Sequence, residues 1–267
     1  MSLPTAAVPE EIAVSHCLLD AHGAVLDAHL AERPFYAAST IKLHVLLAAL
    51  RETGEGRLDL SASVPATRTF TGVDGAPFTL GGDHLDATHP AEGAPLAVRE
   101  LLRRMIDRSS NEATDHVVEL VGLDAVAATI TGLGLRATRV QRLIGDAAAL
   151  GTGATNETSA ADLAVTMRAA VTTGGLTPPL PASSLELARS ALAAQQIPVI
   201  GGALREGVPW GSKSGWVEGY RHDVAFVGDP DGAELRVLAV MTAGLTPEDA
   251  DARIVERVRE LLPDVAS

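Results

Sequence analysis

Cysteine, lysine, aromatic residues and long apolar runs are all scarce in this chain of 267 residues. Cys17 is the single cysteine, so no disulfide can form within the chain and a cysteine-based structural zinc site is excluded. That usage suits a reducing compartment. Aromatics make up 3% of the residues and leave few platforms on which bases could stack. Basic residues number 21 against 34 acidic ones, a net charge of −13, so the basic face that a phosphate backbone needs is missing. No nucleic acid is expected as a partner. Apolar stretches such as 43–50 fall far short of the roughly 20 residues that cross a bilayer, and no membrane span is expected. Residues 1–11 carry acids and prolines in place of a basic segment followed by an apolar one. The chain as written thus shows no secretory signal and is expected in the cytoplasm; a signal removed upstream would put it in the periplasm or outside the cell.

What is present is enough apolar residue, 46%, to bury a substantial core. Apolar runs at 12–19 and 24–30, separated by Asp20-Ala21-His22-Gly23, predict two strands and a turn. Helical spacing predicts a helix over 40–51, a helical block over 97–133 ending at Gly132 and Gly134, and helices over 160–171 and 184–194. Residues 54–95 carry little periodicity and read as loops and short elements, and 142–157 reads as a polar loop. Strands are predicted over 224–227 and 235–241, joined by Gly228-Asp229-Pro230-Asp231-Gly232, with a closing amphipathic helix over 247–262. This order predicts an α/β (α+β) chain, in which early and late strands share one antiparallel sheet flanked by helices with an all-helical domain inserted. The expected division is 1–38 with 200–267 for the sheet domain and 39–199 for the helical one. Ligands often sit at such a junction.

Lys42 and Lys213 are the only lysines; the remaining nineteen of the 21 bases are arginine. A lysine can lose its proton and an arginine effectively cannot, so two retained lysines ask for a chemical reason. Lys42 stands in Ser39-Thr40-Ile41-Lys42 at a predicted helix start. On a helix the i and i+3 residues share a face, so an amine can meet a hydroxyl and take its proton, and the free N–H groups of the helix start can hold an oxyanion. Alternatively, Ser39 is merely an N-cap. Ser109-Ser110-Asn111, placed between two helices, is a second polar cluster that also reads as a capping box ending in Glu112. Lys213-Ser214-Gly215 is the third, with a strand entry and glycine bulge as its plain reading.

The order S-x-x-K, S-x-N, K-[ST]-G, at intervals of about 70 and 100 residues, matches the signature of penicillin-recognising serine enzymes. The chain resembles class A β-lactamases and their relatives over most of its length. Supporting stretches are Phe35-Tyr36-Ala37-Ala38 before Ser39, Met105-Ile106-Asp107-Arg108 before Ser109, Leu204-Arg205-Glu206-Gly207-Val208-Pro209, and the Thr-rich segment 156–164. The resemblance implies a β-lactamase-like fold and a monomer working without metal or organic cofactor on a small molecule with a carboxylate. Ser39 would be the acylated nucleophile, Lys42 its activating partner, and Ser109 a relay to the leaving nitrogen. Asn111 would hold the substrate amide, while Lys213 and Ser214 of the Lys213-Ser214-Gly215 triplet would bind the carboxylate. The amides of Ser39 and Trp216 would form the oxyanion hole.

The family's deacylating glutamate, in an E-x-x-L-N context, aligns near Ile144, and no such motif occurs in the segment. Asp146 and Glu157 are the nearest acids, and Ser110 replaces the aspartate of S-D-N. Slow deacylation of a β-lactam is therefore expected. The rival readings are an esterase or D-alanyl peptidase of the same fold, a penicillin-binding protein that acylates once or merely binds, and a glutaminase-like amidase. Arg221 could assist carboxylate binding or form a surface pair. Trp210 and Trp216 could line a pocket or pack in the core. His84 and His89 match no zinc spacing and read as a solvated loop.

Overall fold

Successive residues of the strand Arg236–Ala243 face opposite cores. In the computed structural model, which describes residue 9 and residues 11–82 and 85–267, Val237, Ala239 and Met241 pack into one hydrophobic cluster. Leu238 and Val240 enter the other. Side chains alternate across a strand, so a strand buried on both faces reads as an unbroken apolar run.

This strand belongs to a five-stranded antiparallel sheet built from both ends of the chain. Its members are β1 (Ala13–Asp20), β2 (Val25–His29), β3 (Trp210–Val217), β4 (Tyr220–Val227) and β5 (Arg236–Ala243), in the order β3-β4-β5-β1-β2. Asp20 joins the first two strands, its carboxylate accepting the N–H groups of His22 and Ala24. The β1–β5 pairing sets Ala13 opposite Ala243. β2 is the edge strand and all five of its residues are exposed.

Eight α-helices complete the described residues: α1 (Ile41–Gly54), α2 (Val98–Asp107), α3 (Asn111–Val121), α4 (Leu123–Gly132), α5 (Ala147–Gly151), α6 (Ala160–Val171), α7 (Ala182–Ala193) and α8 (Pro247–Leu261). α8 buries Ala250, Ile254 and Val258, spaced four apart on one face, and Ile254 and Val258 enter the second cluster. α6 lies against the opposite face of the sheet, and α1 is buried beside it from Ile41 to Leu50.

The predicted helical block over 97–133 is divided. Arg108 to Ser110 separate α2 from α3, and Gly122, at φ 82°, separates α3 from α4. Within 142–157 lie α5 and a short strand, Asn156–Thr158, which pairs with Phe35–Tyr36. Residues 54–95 contribute short strands, Ser63–Pro65 paired with Pro95–Ala97 and Thr69–Thr71 with Pro77–Thr79. No described helix is long and apolar enough to cross a membrane.

Candidate active site

Ser39 lies in a single 3₁₀ turn, Ala38–Thr40, that leads into α1. Its side chain makes no capping hydrogen bond, and Thr40 occupies the N-cap position, so the N-cap reading of Ser39 is incorrect. Ala38, just before it, has φ 47°, a left-handed conformation that a β-carbon makes costly. Ser109, with φ 58°, is the second such residue to face this turn. The strain sits where two hydroxyls converge.

That convergence is centred on Lys42, which is fully buried. Its Nζ reaches the Ser109 carbonyl at 2.6 Å and Asn111 Oδ1 at 2.7 Å, and the hydroxyls of Ser39 and Ser109 at 3.0 and 3.1 Å. The two closest partners can only accept, whereas the two hydroxyls can also donate. Burial, followed by the repulsion of Lys213, holds this amine well below the usual lysine range. A neutral amine fits the geometry: two N–H bonds go to the carbonyl and the amide, and the lone pair faces a hydroxyl. Ser110, not Ser109, caps α3, its Oγ accepting from Ala113 N, so the capping box from Ser109 to Glu112 is displaced by one residue.

Lys213-Ser214-Gly215 lies within β3, not ahead of the late strands, and its pairing with β4 runs without a register shift, so Gly215 is not a bulge. The reason for glycine is proximity. A β-carbon at Gly215 would stand 2.8 Å from Thr40 N and 3.0 Å from Ser39 N. β3 therefore runs edge-on against the start of α1, with the Trp216 amide next along the strand. Gly215→Val is expected to push the two apart, at a cost of about 1–3 kcal/mol in stability. Acylation of Ser39 should fall more steeply than stability does, which a thermal melt and an adduct time course on one sample will separate.

Lys213 Nζ donates to Ser109 Oγ at 3.1 Å and to the Ser214 carbonyl at 2.6 Å. Burial lowers it to about 7, opposed by the Asp223 carboxyl. Asp223, opposite Ser214 in the β3–β4 register, accepts the N–H groups of Val199 and Ile200 at 2.8 Å each. Beside it, His222 donates from Nε2 to the Tyr36 carbonyl and receives Thr242 N–H at Nδ1, which ties β4 to the segment before Ser39. Both residues escaped the sequence reading. A buried polar group opposite a motif residue on the neighbouring strand becomes visible only once the register is known.

These elements enclose a cavity of about 550 Å³, ample for a small ligand. Ser39, Ser109, Asn111, Ser214, Gly215 and Trp216 all line it. Arg221 reaches it from β4 and pairs with Asp251 of α8 at 2.6 Å, so the pair and the cavity position occur together. Trp216 is 45% exposed at the rim, whereas Trp210 packs in the second core.

Ile144 forms part of the wall, and its N–H is held by Asp115 Oδ1 at 2.8 Å. Asp146 is held by other partners. Its carboxylate caps α5 through Ala149 N and clips Val73 N, both at 2.9 Å. Glu157 pairs with Arg139. His84 falls outside the described residues. His89 is buried, not solvated, and neither ring nitrogen has a hydrogen-bond partner. No cluster of three or more His, Cys, Asp or Glu suited to a metal occurs among the described residues.

A family model described as "Beta-lactamase enzyme family" matches residues 10–264. The chain is similar in structure to a β-lactamase from Sphaerobacter thermophilus, with TM-score 0.77 and 26% identity, covering 96% of this chain and 92% of that one. It shares its fold with a β-lactamase from Xanthomonas campestris, at TM-score 0.75, 22% identity and coverage of 95% and 91%. It also shares its fold with the protein PBP-A, at TM-score 0.77, 20% identity and coverage of 97% and 91%. A search of the curated proteins finds no match.

Proposed function

Since the chain belongs to the beta-lactamase enzyme family, we propose that it opens a β-lactam, or a related amide or ester bearing a carboxylate, by acylating Ser39. The carrying observation is Lys42: a fully buried amine, pushed well below the usual lysine range by that burial, 3.0 Å from the Ser39 hydroxyl. It takes the proton as Ser39 Oγ attacks the carbonyl carbon. The developing oxyanion is received by the amides of Ser39 and Trp216; the close approach of Gly215 to the Ser39 and Thr40 amides supports this pairing. Ser109 Oγ, between the two lysine amines, passes the proton on to the leaving nitrogen. Asn111 holds the acyl amide. The test is intact-protein mass spectrometry with a penicillin: an adduct of the whole drug mass supports the reading. No adduct with any β-lactam, alongside cleavage of small esters, would favour an esterase of this fold.

Lys213 and Ser214 receive the ligand's carboxylate, with Arg221 at the rim. Lys213→Ala is expected to slow capture of a penicillin far more than capture of its methyl ester. In the free chain the Lys213 ammonium, with a pKa of about 7, is the form that attracts the carboxylate. As pH rises through 7 that form is lost, so the second-order acylation rate should fall on the alkaline side. The methyl ester should lack this limb. Parallel pH profiles for acid and ester would remove Lys213 from the role.

A further inference from the structure

Two cations of the cavity, Arg108 and Arg142, have no place in that chemistry, and of the two only Arg142 is buried. Arg142 lines the cavity yet is 6% exposed, and a guanidinium does not shed its proton when buried. Its Nη1 donates to the neighbouring Leu143 carbonyl at 3.1 Å and its Nη2 to the Tyr36 hydroxyl at 3.2 Å. Nε has no acceptor. No described carboxylate pairs with it. Arg104, similarly enclosed, has both Asp86 at 3.1 Å and Glu100 at 2.9 Å. Asp115 is the acid whose field reaches Arg142, but one of its oxygens is committed to Ile144 N–H and burial pushes its carboxyl toward the neutral form. A buried charge without a counter-charge is expensive, and a ligand that supplies the counter-charge recovers that cost.

The surroundings point the same way. The chain as a whole carries −13, but the cavity is lined by three arginines, Arg108, Arg142 and Arg221, against one acid, Asp251. Ala37 N donates to the Asn156 carbonyl at 3.0 Å, which sets the end of the 142–156 segment against the Ser39 turn; Gly215 of the carboxylate-binding strand approaches the same turn. The nucleophile thus shares one cavity with Arg142 and Arg221.

We propose that the preferred ligand is a dianion whose second carboxylate, carried on its acyl portion, is bound by Arg142 beside the Tyr36 hydroxyl. The proposal rests on the assignment of Ser39 and Lys213 above and adds the acyl side of the specificity. The experiment compares benzylpenicillin with its α-carboxy derivative, which differ only in that carboxylate. Second-order rates of adduct formation are read by intact-protein mass spectrometry. The unmodified protein is expected to acylate at least fivefold faster with the dianion. Arg142→Gln should bring the ratio to about one and Arg142→Lys should restore part of it. Tyr36→Phe, which removes only a hydroxyl, should reduce the ratio even if Arg142→Gln does not fold. Equal rates in the unmodified protein, or a ratio that survives in Arg142→Gln, overturn the dianion proposal alone. No acylation by either compound overturns it together with the reading it rests on.

Discussion

Ser39→Ala is expected to abolish the covalent adduct while leaving the fold in place. The Ser39 side chain caps nothing, and Lys42 keeps three of its four oxygen contacts when the hydroxyl is removed. The change in stability should therefore be smaller than the ~1 kcal/mol typical of a lost N-cap. Chemistry has no such reserve, because the attacking oxygen itself is gone. An unchanged melting temperature with no mass increase on incubation with a penicillin is the expected pair of results. A full-occupancy adduct on Ser39→Ala would instead direct attention to Ser109, the other hydroxyl within reach of Lys42.

The second large effect concerns the fate of the acyl-enzyme. Hydrolysis needs a water and a base in contact with it, and general-base assistance is typically worth ~10²–10⁴ in rate. Asp251 is the one acid among the described residues lining the cavity, and Arg221 holds it at the rim. Asp146 and Glu157 are bound elsewhere. Ile144 presents a hydrocarbon wall where a base would serve. We expect a burst of one equivalent of opened β-lactam followed by a slow phase. Ile144→Glu should speed the slow phase at least tenfold while leaving the burst amplitude at one equivalent. Stopped-flow absorbance reads both phases, and rapid linear turnover from the start would falsify this account.

How much of the site the sequence disclosed depended on where its residues lie along the chain. Ser39 and Lys42 are three apart at a helix start, and Ser109 and Asn111 sit in one turn, so residue type and spacing suffice to mark them. The strand that carries Lys213 was harder to see. In Trp210–Val217 the residues from Gly211 to Gly215 are all buried, yet three of those five are polar or charged, which breaks the alternation that betrays a strand. Function overrides patterning there. The same holds for Asp223, a buried acid in an apolar strand, and for Arg142, a buried cation in a segment read as a polar loop. The helices at 160–171 and 247–261 and the sheet of early and late strands followed from periodicity and order. The short pairings within 54–95 did not, because three-residue strands are too brief to show a period.

The pairing of β1 with β5 also governs the timing of assembly. Ala13 cannot meet Ala243 until the chain through β5 has left the ribosome, and until then β1 has only β2 as a sheet partner. Two strands alone are marginal in water. Such long-range closure is slow, because the entropy of the intervening loop is lost before the contact rewards it. During that interval the edge of β1 that β5 will occupy stays unpaired. The nascent chain thus carries Ser39 and Lys42 long before the strand that carries Lys213 and completes the cavity is made.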